Sequence, residues 1–393
     1  MFEKELEALN KSHLARTIID RESPQGQRII LNGRQVLNFS SNDYLGLANH
    51  PSIIKAVNEF IKRFGYGSGA SRLLAGGTSL HRELEDKIAL FKGTESAVVF
   101  NSGYAANTGT IPAIAGDQDI IFSDKLNHAS IIDGCRLSRA KTLIYRHKDI
   151  SHLEDLVRKE SMSYRGDGRF VVITDTVFSM DGDIAPLNDI YDLCISLHSS
   201  LSTQHSILLY IDDAHGTGVL GAGKGALTHF NIKSEPWIIQ MGTFSKALGS
   251  FGAFAAGSKD VIEWITNTAR SLIFSTALPA CAAAAALRAF YIIEERPELI
   301  SRLWSRRERL VSALKEVGCD TGESRTPIIP LITGDLESTV SISSALFENG
   351  IYAPAIRPPS VKIPRVRITV TAGHSEEDID RLAEAVRKAL QAR

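Results

Sequence analysis

The feature that most restricts the fold of this chain is a series of short apolar, β-rich runs separated by helix-compatible segments. From about His50 onward these runs are Ala97–Phe100, Ile120–Phe122, Thr142–Tyr145, Phe170–Thr174, Ile207–Ile211, Trp237–Met241 and Ala253–Ala256. They are apolar almost throughout rather than alternating, which is the pattern of strands buried on both faces. Alternation with helical segments predicts an α/β chain whose mainly parallel, seven-stranded sheet is covered by helices. Between two of these runs, Ser151-His-Leu-Glu154 ahead of Leu156 and Val157 predicts a capped helix start.

The flanks read differently. Phe2, Leu6, Leu9 and Leu14 lie near helical spacing and predict a short amphipathic arm, with β-like runs following around Arg28–Leu31 and Val36–Phe39. After Pro279 a long helix-prone stretch runs to Gly318, and Pro297 is expected to kink or break it. Strands at Pro330–Ile332 and Val366–Thr371 follow, then a helix opened by Ser375-Glu-Glu-Asp378 with Ile379, Leu382, Val386 and Leu390 on one face. The expected domains are therefore 1–49, the arm and short strands; 50–280, the large domain; and 281–393, a smaller α+β domain with its linking helix.

Charge and cysteines narrow the function classes. The 393 residues carry 44 Lys+Arg against 45 Asp+Glu, a net charge of −1, which argues against nucleic acid or another bulk polyanion as partner. Cys135, Cys194, Cys281 and Cys319 lie far apart, so neither a disulfide framework nor a metal site is expected. The N-terminus is charged from its third residue and lacks the apolar core of a secretory signal. Ala277–Leu287 is too short to span a bilayer and is ended by Arg288. The expectation is a cytoplasmic protein with no membrane partner.

In open α/β sheets ligands sit beyond the carboxyl ends of the strands, so the residues after each run deserve scrutiny. Asn101-Ser-Gly-Tyr-Ala-Ala-Asn107 is a small-residue turn into a helix; it is either a tight connection or a phosphate cradle built from Ser102, Gly103 and Tyr104. Asp212-Asp-Ala-His-Gly-Thr-Gly218 places two carboxylates and His215 at a strand end, either as a structural Asp–His hydrogen bond or as part of a site. Gly216-Thr-Gly218-Val-Leu-Gly221 spells a dinucleotide fingerprint, but its glycines do not directly follow the strand and no capped helix follows them. Gly242-Thr-Phe-Ser-Lys-Ala-Leu-Gly249 holds Lys246 between two apolar runs. A lysine is most often a solvated surface group, yet one withdrawn from water is a good Schiff-base former. Arg165-Gly-Asp167 and Asp181-Gly-Asp183 match adhesion and calcium-loop patterns only superficially. Taken together, a phosphate cradle, an acidic group for a pyridinium nitrogen and a Schiff-base lysine are what pyridoxal 5′-phosphate (PLP) asks of a protein.

On Asn38-Phe-Ser-Ser-Asn-Asp-Tyr-Leu-Gly46, Thr176-Val-Phe-Ser-Met-Asp-Gly-Asp183, Asp212–Gly218, Thr243-Phe-Ser-Lys246 and Ala355-Ile-Arg-Pro-Pro359, the chain resembles the α-oxoamine synthases, a family of fold-type I PLP enzymes. The resemblance runs from Asn38 to the C-terminal helix. It implies a C-acyltransferase that condenses an amino acid with an acyl thioester and releases CO2. It implies Lys246 as Schiff-base lysine and base, Asp212 against the pyridine nitrogen, and His215 and Ser179 at the phenolic oxygen. His128 would stack on the ring; Ser102, Gly103, Tyr104 and Thr243 would hold the phosphate; Ser275 and Thr276 would reach the phosphate of a partner subunit in the family's homodimer. Asn42 and Arg357 would meet the substrate carboxylate and Arg16 the acyl group. Arg357-Pro-Pro359 favours members that join L-alanine to a pimeloyl thioester, carried on coenzyme A or acyl carrier protein, over users of glycine, although serine palmitoyltransferases look similar there. An aminotransferase is disfavoured by His128 and by the Asp-Asp-Ala-His order, and a non-catalytic subunit by the presence of Lys246.

Overall fold

The computed structural model describes residues 1–12, 14–163, 168–200 and 206–391; the Arg165-Gly-Asp167 tripeptide lies outside them. In chain order the strands are β1 Arg28–Leu31, β2 Arg34–Asn38, β3 Ser96–Phe100, β4 Ile120–Asp124, β5 Lys141–Tyr145, β6 Phe170–Asp175, β7 Ile207–Asp212, β8 Ile238–Thr243, β9 Ala253–Gly257, β10 Ile328–Ile332, β11 Ile351–Tyr352, β12 Ala355–Ile356 and β13 Arg365–Thr369. The chain divides into two compact units. The smaller comprises Met1–Gly46, Met180–Gly182 and Ser301–Arg393; the larger comprises Leu47–Ser179 and Asp183–Ile300.

The larger unit is built on a seven-stranded sheet in the order β3-β9-β8-β7-β6-β4-β5. β8, β7, β6, β4 and β5 pair in parallel, whereas β9 runs antiparallel to both of its neighbours, β3 and β8. The direction of β9 follows from chain length: the loop from β8 is too short for the crossover that a parallel neighbour needs. β6 is buried at every position, as its apolar run Phe170–Ile173 requires, and the burial extends over Thr174 and Asp175 at its end. β5 is the exception, with Lys141, Thr142 and Ile144 exposed at the sheet edge. The helix Ala280–Glu295 belongs to this unit, 20 residues short of the Ile300 limit at its start and beyond the expected break at residue 280. Its buried alanines, Ala283, Ala284 and Ala286, let it lie close against the helices Pro51–Phe64 and Ser79–Lys92. Pro297 separates it from the next helix, Glu298–Glu316.

Helix Ile150–Ser163 starts one residue before Ser151, and the sequence-based cap is corrected to Asp149. The Asp149 carboxylate accepts from the His152 backbone N–H at 2.9 Å, while the Asp149 carbonyl accepts from Leu153. Asp is as good an N-cap as Ser, and here it stands at the geometrically correct place.

In the smaller unit β1 and β2 form a hairpin around Asn32 and Gly33, both with positive φ (50° and 70°), the conformation that a two-residue turn of this kind demands. β11 pairs in parallel with β2, and β10, β13 and β12 make a second, antiparallel sheet. Leu310, Leu314, Ile329, Ile368, Leu382 and Val386 share its core. The box at Ser375 forms as expected: Ser375 N–H donates to Asp378 Oδ2 at 3.0 Å and Asp378 N–H to Ser375 Oγ at 3.1 Å. The N-terminal arm is a helix, Glu3–Lys11, none of whose residues is buried.

Candidate active site

Five strand ends of the larger unit converge on one cavity of about 180 Å³. β3 leads into helix Gly103–Ile114, where the Ser102 hydroxyl caps the end by accepting from Ala105 N–H at 3.1 Å. Gly103 and Tyr104 thus present first-turn N–H groups, with the positive end of the helix dipole behind them, at the cavity wall. β4 leads to Asn127 and His128. Asn127 is clamped between strands: its Nδ2 donates to Ser123 Oγ and Ile173 O (both 2.9 Å), and its Oδ1 accepts from Asp175 N–H at 2.8 Å. That clamp fixes His128, which caps helix Ala129–Ser138 and whose N–H donates to Asp175 Oδ2 at 2.7 Å. Burial holds the His128 imidazole below its ordinary pKa, assisted by the Lys246 charge and opposed by Asp212.

The two adjacent carboxylates at the end of β7 have different fates. Asp212 lines the cavity, with Oδ1 accepting from Ala214 N–H at 3.0 Å and Oδ2 from Asn107 Nδ2 at 2.8 Å. Asp213 faces away from it into a sealed polar cluster. Lys92 Nζ lies 2.8 Å from Asp213 Oδ2, with both side chains fully buried, and Thr176, Thr217 and the Ala226 N–H complete its hydrogen bonds. Cβ atoms at Gly216 or Gly225 would overlap the Asp213 carboxylate, so Gly216, the first glycine of the apparent dinucleotide fingerprint, makes room for this ion pair. Asp175, in register with Asp212 on the neighbouring strand, is pushed well above the usual carboxyl range by burial and by the Asp212 charge.

Lys246 sits in the β8–β9 connection. Phe244, Ala247 and Leu248 are buried to 0% exposure and anchor the loop on either side of it. Gly249 has φ +60°, and a side chain there would overlap the backbone N of Ala48. Thr243 Oγ1 donates to Gly252 O at 2.8 Å and accepts from Ser245 N–H at 3.2 Å, which holds both hydroxyls beside the lysine. Lys246, Thr243, Ser245, His215 and Ser179 all line the cavity.

The structure thus brings Gly103, Tyr104, His128, Ser179, Asp212, His215, Thr243 and Lys246 to one cavity. Ser102 acts as the helix cap behind it. Ser275 and Thr276 lie outside the lining of this cavity; the Thr276 carbonyl accepts from Asn101 Nδ2 at 2.6 Å, and Thr276 bridges to Ser71. In the smaller unit, Asn42 Oδ1 accepts from Arg367 Nη2 at 3.1 Å, Arg357 Nη2 donates to Ala15 O at 2.5 Å, and Arg16 Nη2 to Ser360 Oγ at 3.3 Å. The sequence reading missed Asn107, Ser130 and Asp175 in the lining. Asn107 had a signal: it is the one amide side chain in its helix and lies one helical turn past Gly103.

The donor set suits PLP. A helix N-terminus and hydroxyls fit a phosphate, Lys246 an aldehyde, Asp212 a protonated ring nitrogen, and His128 a flat face. Among the described residues no cluster of His, Cys, Asp and Glu could hold a metal ion, and no helix is long and apolar enough to cross a membrane.

Comparison with known proteins agrees with this geometry. The family described as "Aminotransferase class I and II" matches residues 34–386. An 8-amino-7-oxononanoate synthase of Thermoanaerobacter pseudethanolicus is 45% identical over 388 residues, covering 98% of this chain and 95% of that protein. Another, from Geobacter sulfurreducens, is 46% identical over 387 residues, covering 97% and 96%. Among solved structures, a serine palmitoyltransferase of S. paucimobilis with a bound PLP-myriocin aldimine superimposes with a TM-score of 0.90 at 27% identity, covering 100% of this chain and 98% of that one.

Proposed function

The chain belongs to the aminotransferase class I and II family, and from that premise we propose that it condenses L-alanine with a pimeloyl thioester to give 8-amino-7-oxononanoate, CO2 and the free thiol carrier, a step of biotin biosynthesis. Its cofactor is PLP. The observation that carries the reading is the meeting of Lys246, Asp212, His128, His215 and the Gly103 helix end in one cavity. The product is taken from relatives of 44–46% identity that bear the synthase name over nearly their whole length. Other α-oxoamine synthases, such as 2-amino-3-ketobutyrate ligase, 5-aminolevulinate synthase or serine palmitoyltransferase, are the alternatives, and the last shares the fold.

Mechanism follows from what each side chain can do. When bound, PLP supplies an aldehyde for amine exchange and a pyridinium that withdraws electrons from the substrate Cα. Gly103 and Tyr104 N–H, with Thr243, would hold the phosphate; Asp212 would keep the ring nitrogen protonated; His128 would pack on the ring face; His215 and Ser179 would donate to the phenolic oxygen. Lys246, held by its anchored loop, would bind the aldehyde and, as a free amine, would serve as the base that takes and returns the Cα proton. Asn42 and Arg357 take the carboxylate and Arg16 the acyl chain. Ser275 and Thr276 complete the phosphate site of a second subunit in a homodimer with shared active sites. The thiol carrier is coenzyme A or acyl carrier protein, and the cytoplasm is the compartment assigned.

Two measurements test this. Purified protein incubated with alanine and pimeloyl thioester should release thiol; release with glycine and acetyl thioester but none with that pair would overturn the assignment. Lys246→Ala should lose the visible band of lysine-bound PLP together with turnover, and an unchanged band would remove Lys246 from its role.

A further inference from the structure

Asn107 is 1% exposed and its amide meets three groups at once. Nδ2 donates to Asp212 Oδ2 and to Ser130 Oγ, each at 2.8 Å, while Oδ1 accepts from the Tyr210 hydroxyl at 2.6 Å. Both hydrogens of the amide are committed, one to each acceptor. Tyr210 decides which end of the amide is which. Burial, reinforced by the Asp212 and Asp175 charges, holds its phenol well above the ordinary range, so it stays protonated and donates.

The direction continues past Ser130. Because Ser130 Oγ accepts from Asn107, its own hydrogen points to His128 Nδ1, 2.7 Å away, which also accepts from Ser130 N–H at 3.3 Å. A ring nitrogen that accepts carries no proton, so His128 is a neutral imidazole with its hydrogen on Nε2. One amide therefore branches toward the two groups that face the cofactor ring from its nitrogen and from its face.

We infer that Asn107, oriented by Tyr210, is a positioning residue that fixes the Asp212 carboxylate and, through Ser130, the tautomer of His128. The inference rests on the proposed roles of Asp212 and His128. Its physical content is that Asp212 is tethered at each oxygen by a different donor, Ala214 N–H and Asn107 Nδ2, so its rotamer cannot drift from the ring nitrogen. A neutral His128 also avoids placing one cation against another.

The test begins without cofactor. In the apoenzyme, ring-nitrogen NMR should show His128 as the Nε2–H tautomer, and Ser130→Ala and Asn107→Leu should each abolish that fixed state. In the PLP-loaded enzyme, Asn107→Leu should raise the PLP dissociation constant, shift the pH at which the visible band changes, and lower kcat by about 10–100-fold, the usual range for a partner that orients a catalytic group. Ser130→Ala should alter the His128 signal but leave the band's pH dependence in place. Tyr210→Phe removes one oxygen and keeps the ring, so it decides the matter even if Asn107→Leu fails to fold; it should loosen both branches and move both readouts. A wild-type protein that forms no visible band would refute the roles of the site itself. A normal wild-type band, with His128 tautomer, band pH and kcat unchanged in the Asn107 and Tyr210 variants, would refute the relay alone.

Discussion

Lys92 and Asp213 illustrate how differently neighbouring residues can be used. Asp212 and Asp213 are equivalent in sequence, yet strand pleating sends one into the cavity and the other into a fully buried ion pair. Removing one partner of such a pair strands an uncompensated charge, so Lys92→Met should cost about 3–5 kcal/mol in urea unfolding. The double variant Lys92→Met/Asp213→Asn should recover part of that loss. If the single variant were as stable as wild type, the pair would have no structural weight. Lys246→Ala, by contrast, should leave stability nearly unchanged, since a group half open to the cavity contributes little to the core. Residue types at strand ends were legible as chemistry, and the family resemblance singled out Asp212; the physical reason that it and not Asp213 points inward lies in its register with Asp175 and Met241.

At the scale of elements, the strongest constraint is the β8–β9 connection. Its brevity makes β9 antiparallel and confines Lys246 to a loop that Phe244 and Leu248 pin from below. Gly249→Ala combines an unfavourable positive φ with a clash against the Ala48 backbone, and should cost about 1–3 kcal/mol in thermal unfolding while weakening PLP binding. Unaltered melting would mean that the loop can relax around a methyl group. The apolar runs foretold the sheet strands to within one or two residues, because unbroken burial leaves an unmistakable pattern. β11 and β12, two residues each, left no such pattern: their pairing is supplied by β2 and β13. The misplaced cap at Ser151 arose because Asp149 and Ser151 are both good caps, and only the first helical turn distinguishes them.

For the whole molecule, a half-buried and a buried histidine set opposite limits on stability. In the larger unit His147 bridges Asp124 and Asp183 at 2.9 Å each, with Lys148 also on Asp183. Burial alone would lower its pKa, but the bonds and charges of the two aspartates raise it to about 9. Since its folded pKa lies above the unfolded value, the contribution is complete below about pH 6.5 and is lost as pH rises through about 9. In the smaller unit His374 stacks on Phe39 at 4.1 Å, and burial pushes its pKa down to about 4. A lowered folded pKa works the other way: stability is present above about pH 6.5 and declines as pH falls toward 4. At about 1.4 kcal/mol per pH unit, each effect amounts to at most about 3.5 kcal/mol. The melting temperature should therefore fall on both sides of neutrality; His147→Gln should flatten the alkaline limb, and His374→Gln the acid one. A wild-type profile flat from pH 5 to pH 9 would contradict both assignments.

The sequence by itself determined the class of fold, through apolar runs that only a sheet covered on both faces can bury, and it determined the chemistry, because a lysine, an aspartate, two histidines and a glycine-led helix start recur at the strand ends. It also set the near-zero charge that leaves recognition to local groups. Only the tertiary structure decided which of those groups face one another. Strand order is set by long-range pairing, and burial by what lies across the sheet, neither of which leaves a local trace. That is why Asn107, whose polarity alone names no partner, became visible as the hub between Asp212, Ser130 and Tyr210 only once three separate elements had been brought together.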